Sequence, residues 1–349
     1  MSHPLRIARL PAHDLAVSAR WDDFVLACPQ ATFFHRSGWQ RVIASVFGHR
    51  CYFLYAERDG VIEGVLPLAE IKSRLFGHSL TSLPFAVYGG VAALNDEAAA
   101  ALEAEAEKIA RGQGAEHLEY RNLGPSRHAD WPRQDLYVTF RKAILPDEEA
   151  NMLAIPRKQR AMVRKGMANG LKAEVDADVA RFFDLYADNV LRHGTPAMPK
   201  KYFQALLDEF GADAEVLTVT GPDGRPLSSV LSFYFRDEVL PYYAGDDEAA
   251  RGLAANDFKY WELMRRACAR GLKVFDYGRS KQGTGPYAFK KNWGFAPEPL
   301  TYFKCTADGA APREINPLDP RYRLQVALWR KLPLWLANRV GPHLARGLG

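Results

Sequence analysis

Residues 214–278 read AEVLTVTGPDGRPLSSVLSFYFRDEVLPYYAGDDEAARGLAANDFKYWELMRRACARGLKVFDYG, and the order of patterns in this stretch decides the fold. AEVLTVT (214–220) and PLSSVLSFYFRD (226–237) have the composition of paired strands around a turn at Gly221-Pro222-Asp223-Gly224. VLPYYAG (239–245) is the next strand. A helix is expected from about Asn256 to Arg270, closed by Gly271, and KVFDYG (273–278) returns as a strand. A hairpin, a third strand, a helix and a returning strand make an α/β unit with a core of its own.

The same order occurs once more toward the N-terminus. CYFLYAER (51–58) and VIEGVLPLAEIK (61–72) flank a turn at Arg58-Asp59-Gly60. DEAAAALEAEAEKIARGQG follows from Asp96 as a helix with acids at its start and Gly112 and Gly114 at its end, and HLEYR (117–121) alternates as a strand. The expectation is a duplicated α/β fold of mixed sheets flanked by helices. Its halves would span 1–148 and 149–308, joined near Leu145-Pro146-Asp147, with a basic amphipathic helical tail over 309–349.

A chain of 349 residues, 48% hydrophobic and 25% charged, has the composition of a soluble protein and the length for two cores. Cys28, Cys51, Cys268 and Cys305 lie far apart without metal-ligand spacing, which reads as buried free thiols in a reducing compartment and no metal site. The first residues lack a signal-peptide pattern, and no run approaches the roughly 20 apolar residues of a membrane span, so cytoplasm is expected. The net charge of +5 is modest, but PRKQRAMVRKGMANGLK (156–172) holds six basic residues and no acid. The segment from Arg321 onward holds Arg321, Arg323, Arg330, Lys331, Arg339 and Arg346, again without an acid. Each reads either as a surface for polyanions or anionic lipid or as a solvated helix face. No helix-turn-helix or zinc pattern supports sequence-specific nucleic-acid binding.

The densest chemistry lies in DYGRSKQGTGPYAFKKNWGF (276–295), where Gly278, Gly283, Gly285 and Gly294 alternate with Arg279, Lys281, Lys290 and Lys291. Such a loop can bring backbone N–H groups and cations to a developing oxyanion, or it can be a plain connection with solvated lysines. No nucleophile elbow or Ser/His/Asp order occurs, so no covalent acyl-enzyme is indicated. In YYAGDDEAARGLAANDFKYW (242–261), Ala254, Ala255 and Asn256 stand at a helix start able to cradle a phosphate or carboxylate, while Asp257 can instead cap that helix. His35 and His193 are either bases for an attacking amine or structural, His193 being followed by the turn Gly194-Thr195-Pro196. The end, WRKLPLWLANRVGPHLARGLG (329–349), suits either an anionic lipid surface or docking on the protein's own second half.

FFHRSGW (33–39), SLPFAVYGG (82–90), PRKQRAMVRKG (156–166), HGTP (193–196), FYFRDEVLPYYAG (233–245), AANDFKYWELMRRA (254–267), FDYGRSKQGTGPYAFKKNWGF (275–295) and WRKLPLWLANRVGP (329–342) follow one another along the chain. Together they resemble the FemAB/FemX-like peptidyltransferases, tandem GNAT-like acyltransferases, and most narrowly the FemAB-like proteins associated with XrtA/PEP-CTERM exopolysaccharide systems. The resemblance implies N-acyl transfer from an activated donor to an amine. It maps a Phe-Lys pair at the transfer centre onto Phe289 and Lys290, with Lys290 stabilising charge on the oxyanion or donor, and Tyr287 and Asp276 beside them. Arg279, Ser280, Tyr242, Tyr243, Ala254, Ala255 and Asn256 fall to the donor, and Tyr88, Gly89, Gly90 and His35 to the acceptor cleft.

No bound cofactor or metal is implied. The donor is a cosubstrate (aminoacyl-tRNA, acyl-CoA or acyl carrier protein), and the acceptor is an amine-bearing envelope or polysaccharide precursor. Partners would be tRNA or acyl carrier protein, together with the inner face of the membrane through residues 320–349. The chain departs from the peptidyltransferases in lacking a heptad stretch for their helical arm. Arg41 is the nearest stand-in for the basic residue that follows their N-terminal Trp, here Trp39. The rival reading is a non-catalytic scaffold of the same fold that serves polysaccharide assembly at the membrane.

Overall fold

Caps and turn residues cut the chain into its elements. In the computed structural model, which describes residues 3–123, 127, 131–134, 136–306 and 320–348, the elements run in chain order as follows. First come β1 (Arg6–Arg9), α1 (Leu15–Ala27), α2 (Gly38–Phe47), β2 (Arg50–Arg58), β3 (Val61–Ser73), β4 (Gly77–Ser82), β5 (Ala92–Ala93), α3 (Asp96–Gln113), β6 (His117–Asn122) and β7 (Arg133–Gln134). Then follow β8 (Tyr137–Ala143), α4 (Glu148–Ala154), α5 (Arg157–Ala168), β9 (Lys172–Asp176), α6 (Ala180–His193) and α7 (Lys200–Phe210). The hairpin β10 (Ala214–Thr220) and β11 (Pro226–Phe235) leads to β12 (Glu238–Asp246), the single turn α8 (Ala250–Leu253), α9 (Ala255–Ala269) and β13 (Val274–Asp276). Last are β14 (Ser280–Lys281), α10 (Gly285–Asn292), β15 (Pro297–Pro299), β16 (Thr301–Thr306), α11 (Pro320–Trp329) and α12 (Leu334–Ala345).

Two compact units result. The first comprises Met1–Asp135, Leu300–Ile315 and Arg346–Gly349, and the second Leu136–Pro299 and Asn316–Ala345. The division falls ahead of Leu145-Pro146-Asp147, the stretch at which the sequence suggests a join, because β8 pairs with β13 and already belongs to the second sheet. Conversely β16, within the span 149–308, pairs antiparallel with β6 and completes the first sheet. Of the expected tail, residues 307–319 lie outside the described residues, and α11 and α12 form the remainder.

The first sheet has the order β1-β2-β3-β4-β6-β16-β7, with β5 on β3. It is antiparallel up to β4, and the β4–β6 step is parallel because α3 carries the chain across between them. Asn95 caps α3 by accepting from the Ala98 N–H, and Gly114, at φ +68°, ends it. Ala98, Leu102, Ala106 and Ile109 recur at helical spacing and pack on Leu54, Leu66, Leu80 and Leu118 of the sheet. Burial of each such Leu or Ile contributes about 1.5–3 kcal/mol.

The second sheet repeats the plan in the order β14-β8-β13-β12-β11-β10-β9, with β15 on β8. Here β10, β11 and β12 are antiparallel, and β12–β13 is the parallel step after α9. Trp261, Met264 and Ala267 of α9 join Val163, Val230, Phe275 and Trp293 in its core. The four cysteines are unbridged; Cys28 is fully buried and the other three half-buried, and burial pushes the Cys51 thiol up to about 12.

Candidate active site

The second sheet opens where β12 and β13 part. Their parallel ladder holds only Glu238↔Val274 and Val239↔Phe275, after which β13 ends at Asp276 while β12 runs on to Asp246. On its other side β12 carries a bulge: Leu231 pairs with Tyr243 and Ser232 with Pro241, so Tyr242 is the extra residue. Pro241 has no N–H to give a ladder, which makes this a natural place for the irregularity. Tyr242 lies against Phe233, and its ring is 4.8 Å from that of Tyr243. The Tyr243 hydroxyl meets that of Tyr202 at 3.0 Å, within an aromatic cluster of Tyr186 and Phe203, and burial drives its pKa well above the usual range. Both tyrosines of the strand thus have packing partners from α6 and α7 or from β11.

Beyond β12 the chain reaches the start of α9 through Ala254, whose φ of +59° is a left-handed turn conformation in a residue other than glycine. No side chain caps the first N–H groups of α9, whose first turn holds one acid, Asp257. Ala254 and Ala255 are buried and Asn256 half-buried. Asp257 does not cap this helix: its Oδ1 accepts from Gln159 Nε2 at 2.7 Å and Trp293 Nε1 at 3.0 Å, tying α5, α9 and α10 together. Burial raises its pKa, opposed by those two hydrogen bonds. Helix α5 packs against this turn; a Cβ at Gly166 would lie 3.3 Å from the Ala254 carbonyl oxygen, and Asn169 Nδ2 donates to the Leu253 carbonyl at 3.0 Å. Its Arg157, Lys158, Arg164 and Lys165 are exposed, and Arg160 Nε is buried without a hydrogen-bond partner.

Across the opening stands the loop after β13. Asp276, fully buried, accepts from the Gly278 N–H at 2.7 Å and pairs with Arg141 Nη1 at 2.7 Å; Arg141 also bonds Glu238. Lys290 reaches back from α10 and donates to the carbonyls of Tyr277 (2.7 Å), Gly278 (3.0 Å) and Arg279 (3.0 Å). An ammonium has three protons, and all three are committed to the loop. Burial pushes the Lys290 pKa down to about 7, with Asp276 opposing the shift and Arg279 adding to it. Gly278 provides the φ of +64° that lets the three carbonyls converge.

Arg279 lies over the Tyr137 ring at 4.8 Å, and Ser280 is buried with its Oγ lacking a hydrogen-bond partner. Tyr287 packs edge-on to Phe140 at 5.5 Å, and Phe289 lines the aromatic wall with Tyr260 and Trp293. Asp276, Arg279, Ser280 and Lys290 therefore meet in one structure, while Tyr287 and Phe289 are packing residues at its side.

Sequence reasoning missed Arg141 and Lys259. Lys259 is fully buried, with its Nζ 2.9 Å from Asp246 Oδ1 at the end of β12. No local sequence signal marks either residue, because each acquires its partner only through the fold.

The first unit carries a cavity of about 610 Å³, and His35, Tyr88, Gly89 and Gly90 all line it, together with Gln30, Asn95, Glu103, Asn122 and Arg127. His35 Nδ1 accepts from the Thr32 N–H at 3.0 Å, so Nε2 carries the proton and donates to the Gly90 carbonyl at 2.8 Å. Both nitrogens are engaged, and His35 fixes the cavity wall instead of offering a lone pair to an amine. A Cβ at Gly90 would fall 1.8 Å from Asn122 Oδ1, which explains the glycine. The start of α3 borders this cavity and differs from that of α9: Asn95 caps it, and Asp96 and Glu97 fill its first turn. His193 is exposed in the last turn of α6, with its carbonyl accepting from Arg330 at 3.2 Å. Among the described residues no three His, Cys, Asp or Glu side chains gather as metal ligands.

Residues 157–291 match the family profile described as an acetyltransferase (GNAT) domain. No curated protein matches the sequence significantly. A crystal structure of FemX is similar with a TM-score of 0.64 at 15% identity, covering 85% of this chain and 97% of that one. The C-terminal domain of a putative lysylphosphatidylglycerol synthetase from Agrobacterium fabrum gives 0.59 at 16% identity, over 84% and 94% of the two chains. A tandem GNAT protein from the clavulanic acid biosynthesis pathway gives 0.56 at 14% identity, over 89% and 100%. At such identities the likeness is one of fold. The chain therefore has a mixed α/β fold of two GNAT-type units, and the acetyltransferase-domain match falls within the second.

Proposed function

We propose that the protein is an N-acyltransferase whose second unit moves an acyl or aminoacyl group from an activated donor to an amine. The observation that carries this reading is the two-pair ladder of β12 and β13, which parts beside a loop clamped by Lys290. The acetyltransferase-domain match over the same region supports it.

The donor's anionic part lies at the uncapped start of α9 and along the cations of α5. The unprotonated amine attacks the acyl carbon, a C–N bond forms as the C–S or C–O bond to the carrier breaks, and the amine's proton leaves with the carrier or to water. Ser280 Oγ donates to the developing oxyanion. Lys290 acts as a positioning residue through the carbonyls it holds. Tyr88, Gly89 and Gly90 line the acceptor's cavity in the first unit. The acceptor class is an amine-bearing envelope or exopolysaccharide precursor of the XrtA/PEP-CTERM kind, and the donor is acyl-CoA, acyl carrier protein or aminoacyl-tRNA.

The test offers the protein each donor class with amino-sugar acceptors and reads the product by mass spectrometry. Transfer that falls about 100-fold in Lys290→Ala, with donor binding retained, supports the reading. If none of the three donors raises the unfolding temperature or is consumed, the reading fails and the scaffold alternative gains.

A further inference from the structure

The C-terminal helices carry their side chains in an order that is unusual for a docked surface helix. Along α12 the buried positions are the small residues Ala337, Gly341 and Ala345. A Cβ at Gly341 would lie 3.1 Å from the Ala197 backbone nitrogen, so the helix rests closely on the second unit. Val326, Trp329, Leu336 and Leu344 are half-buried, but a second set of large apolar residues faces outward: Leu324 is 69% exposed, Leu328 58% and Trp335 69%, with Leu334 and Val340 also exposed. Leu324 and Leu328 are one helical turn apart, as are Trp335 and Arg339. A helix that only packs on its own domain keeps few large apolar groups on its outer face.

The carboxylate-free sequence of α11 and α12 carries side-chain charge of one sign. Pro320 to Gly349 contains no Asp or Glu, and Arg330, Lys331 and Arg339 are exposed without an ion-pair partner among the described residues. We propose that α11 and α12 form an interfacial surface that seats the protein on an anionic lipid bilayer, with Leu324, Leu328 and Trp335 entering the headgroup boundary and Arg330, Lys331 and Arg339 meeting the lipid phosphates. The geometry favours lipid over a second copy of the chain, because a two-fold contact through this face would set the same unpaired cations against each other. Neither helix spans: they hold 10 and 12 residues, and no helix among the described residues is long and apolar enough to cross a membrane. The proposal does not depend on the catalytic reading.

The test is co-sedimentation of the full chain with vesicles of phosphatidylcholine containing phosphatidylglycerol, and with phosphatidylcholine alone. Binding is expected on the anionic vesicles, weakened by salt. It should fall about tenfold or more in Leu328→Ser/Trp335→Ser and, independently, in Lys331→Glu/Arg339→Glu. These positions are exposed, so the unfolding midpoints should match the parent protein, and if one pair misfolds the other still reads the surface. Failure of the parent protein to bind anionic vesicles overturns the proposal, as does binding that neither pair changes. A dimer dissociated by Leu328→Ser/Trp335→Ser, without vesicle binding, would overturn it in favour of a second copy.

Discussion

Lys290 Nζ lies 2.7 Å from the carbonyl oxygen of Tyr277, and the same ammonium holds the next two carbonyls of the loop. One side chain thereby fixes three successive peptide planes at the edge of the opening between β12 and β13. A neutral amine has only two protons to offer, so the protonation state of Lys290 decides how many of these carbonyls stay held.

The stability of the protein should carry this titration. Burial lowers the Lys290 pKa from 10.5 to about 7, so above pH 7 the unfolded chain binds the extra proton more tightly than the folded one. Stability therefore rises with pH between about 7 and 10.5, and the penalty of burying the charge is fully present below that window. Denaturant titrations across this range should show the rise in the parent protein and lack it in Lys290→Met. Parallel pH dependences in the two proteins would remove Lys290 as the source.

Arg141 joins the buried Asp276 to the half-buried Glu238, and the pKa of Glu238 is raised by burial against the pull of Arg141. Arg141→Met removes the guanidinium that both acids share. The expected loss is about 3–5 kcal/mol in urea unfolding, partly recovered by adding Asp276→Asn. A loss under about 1 kcal/mol would mean that water solvates the pair.

Gly245 on β12 lies under α6: a Cβ there would sit 2.4 Å from the backbone nitrogen and Cα of Tyr186. Backbone cannot rotate aside, so Gly245→Ala must displace the helix from the sheet. A destabilisation of about 3 kcal/mol is expected, read as a lowered melting temperature. Gly252→Ala has open space around its Cβ and no unusual φ, and serves as the tolerated control.

The exposed cations of α5 should govern donor capture and not folding. Lys158→Glu/Arg164→Glu is expected to weaken donor binding about tenfold and flatten its salt dependence, with stability changed by less than about 0.5 kcal/mol. Isothermal titration at two salt concentrations checks this. Unchanged affinity at low salt would move the donor's anionic part away from α5.

Local pattern revealed a good part of this molecule, and long-range pairing revealed little. The hairpins at 51–72 and 214–237 and the helices starting at Asp96 and near Asn256 announce themselves through turns, acids and glycines within a few residues. β8 has ordinary strand composition, but its partner β13 lies more than a hundred residues later, and nothing local selects that pairing. The same holds for Arg141, whose role exists only once β8 lies beside Asp276. Lys259 reads in sequence as a solvated charge on a helix, and only the fold shows it buried on Asp246. In the first unit the resemblance pointed to Tyr88, Gly89 and Gly90, whereas Glu103, Asn122 and Arg127 come from separate elements that the fold brings around the same space.

The return of β16 to the first sheet has a consequence for how this protein must be made and handled. β6 leaves the ribosome with an open hydrogen-bonding edge, and its antiparallel neighbour Thr301–Thr306 is translated only after the whole stretch from Leu136 to Pro299. An N-terminal fragment that stops anywhere before Thr301 therefore keeps a sticky edge, prone to pairing with another nascent chain. Dissecting the two halves would require a permuted gene in which the codons for 301–306 follow directly on those for the first unit.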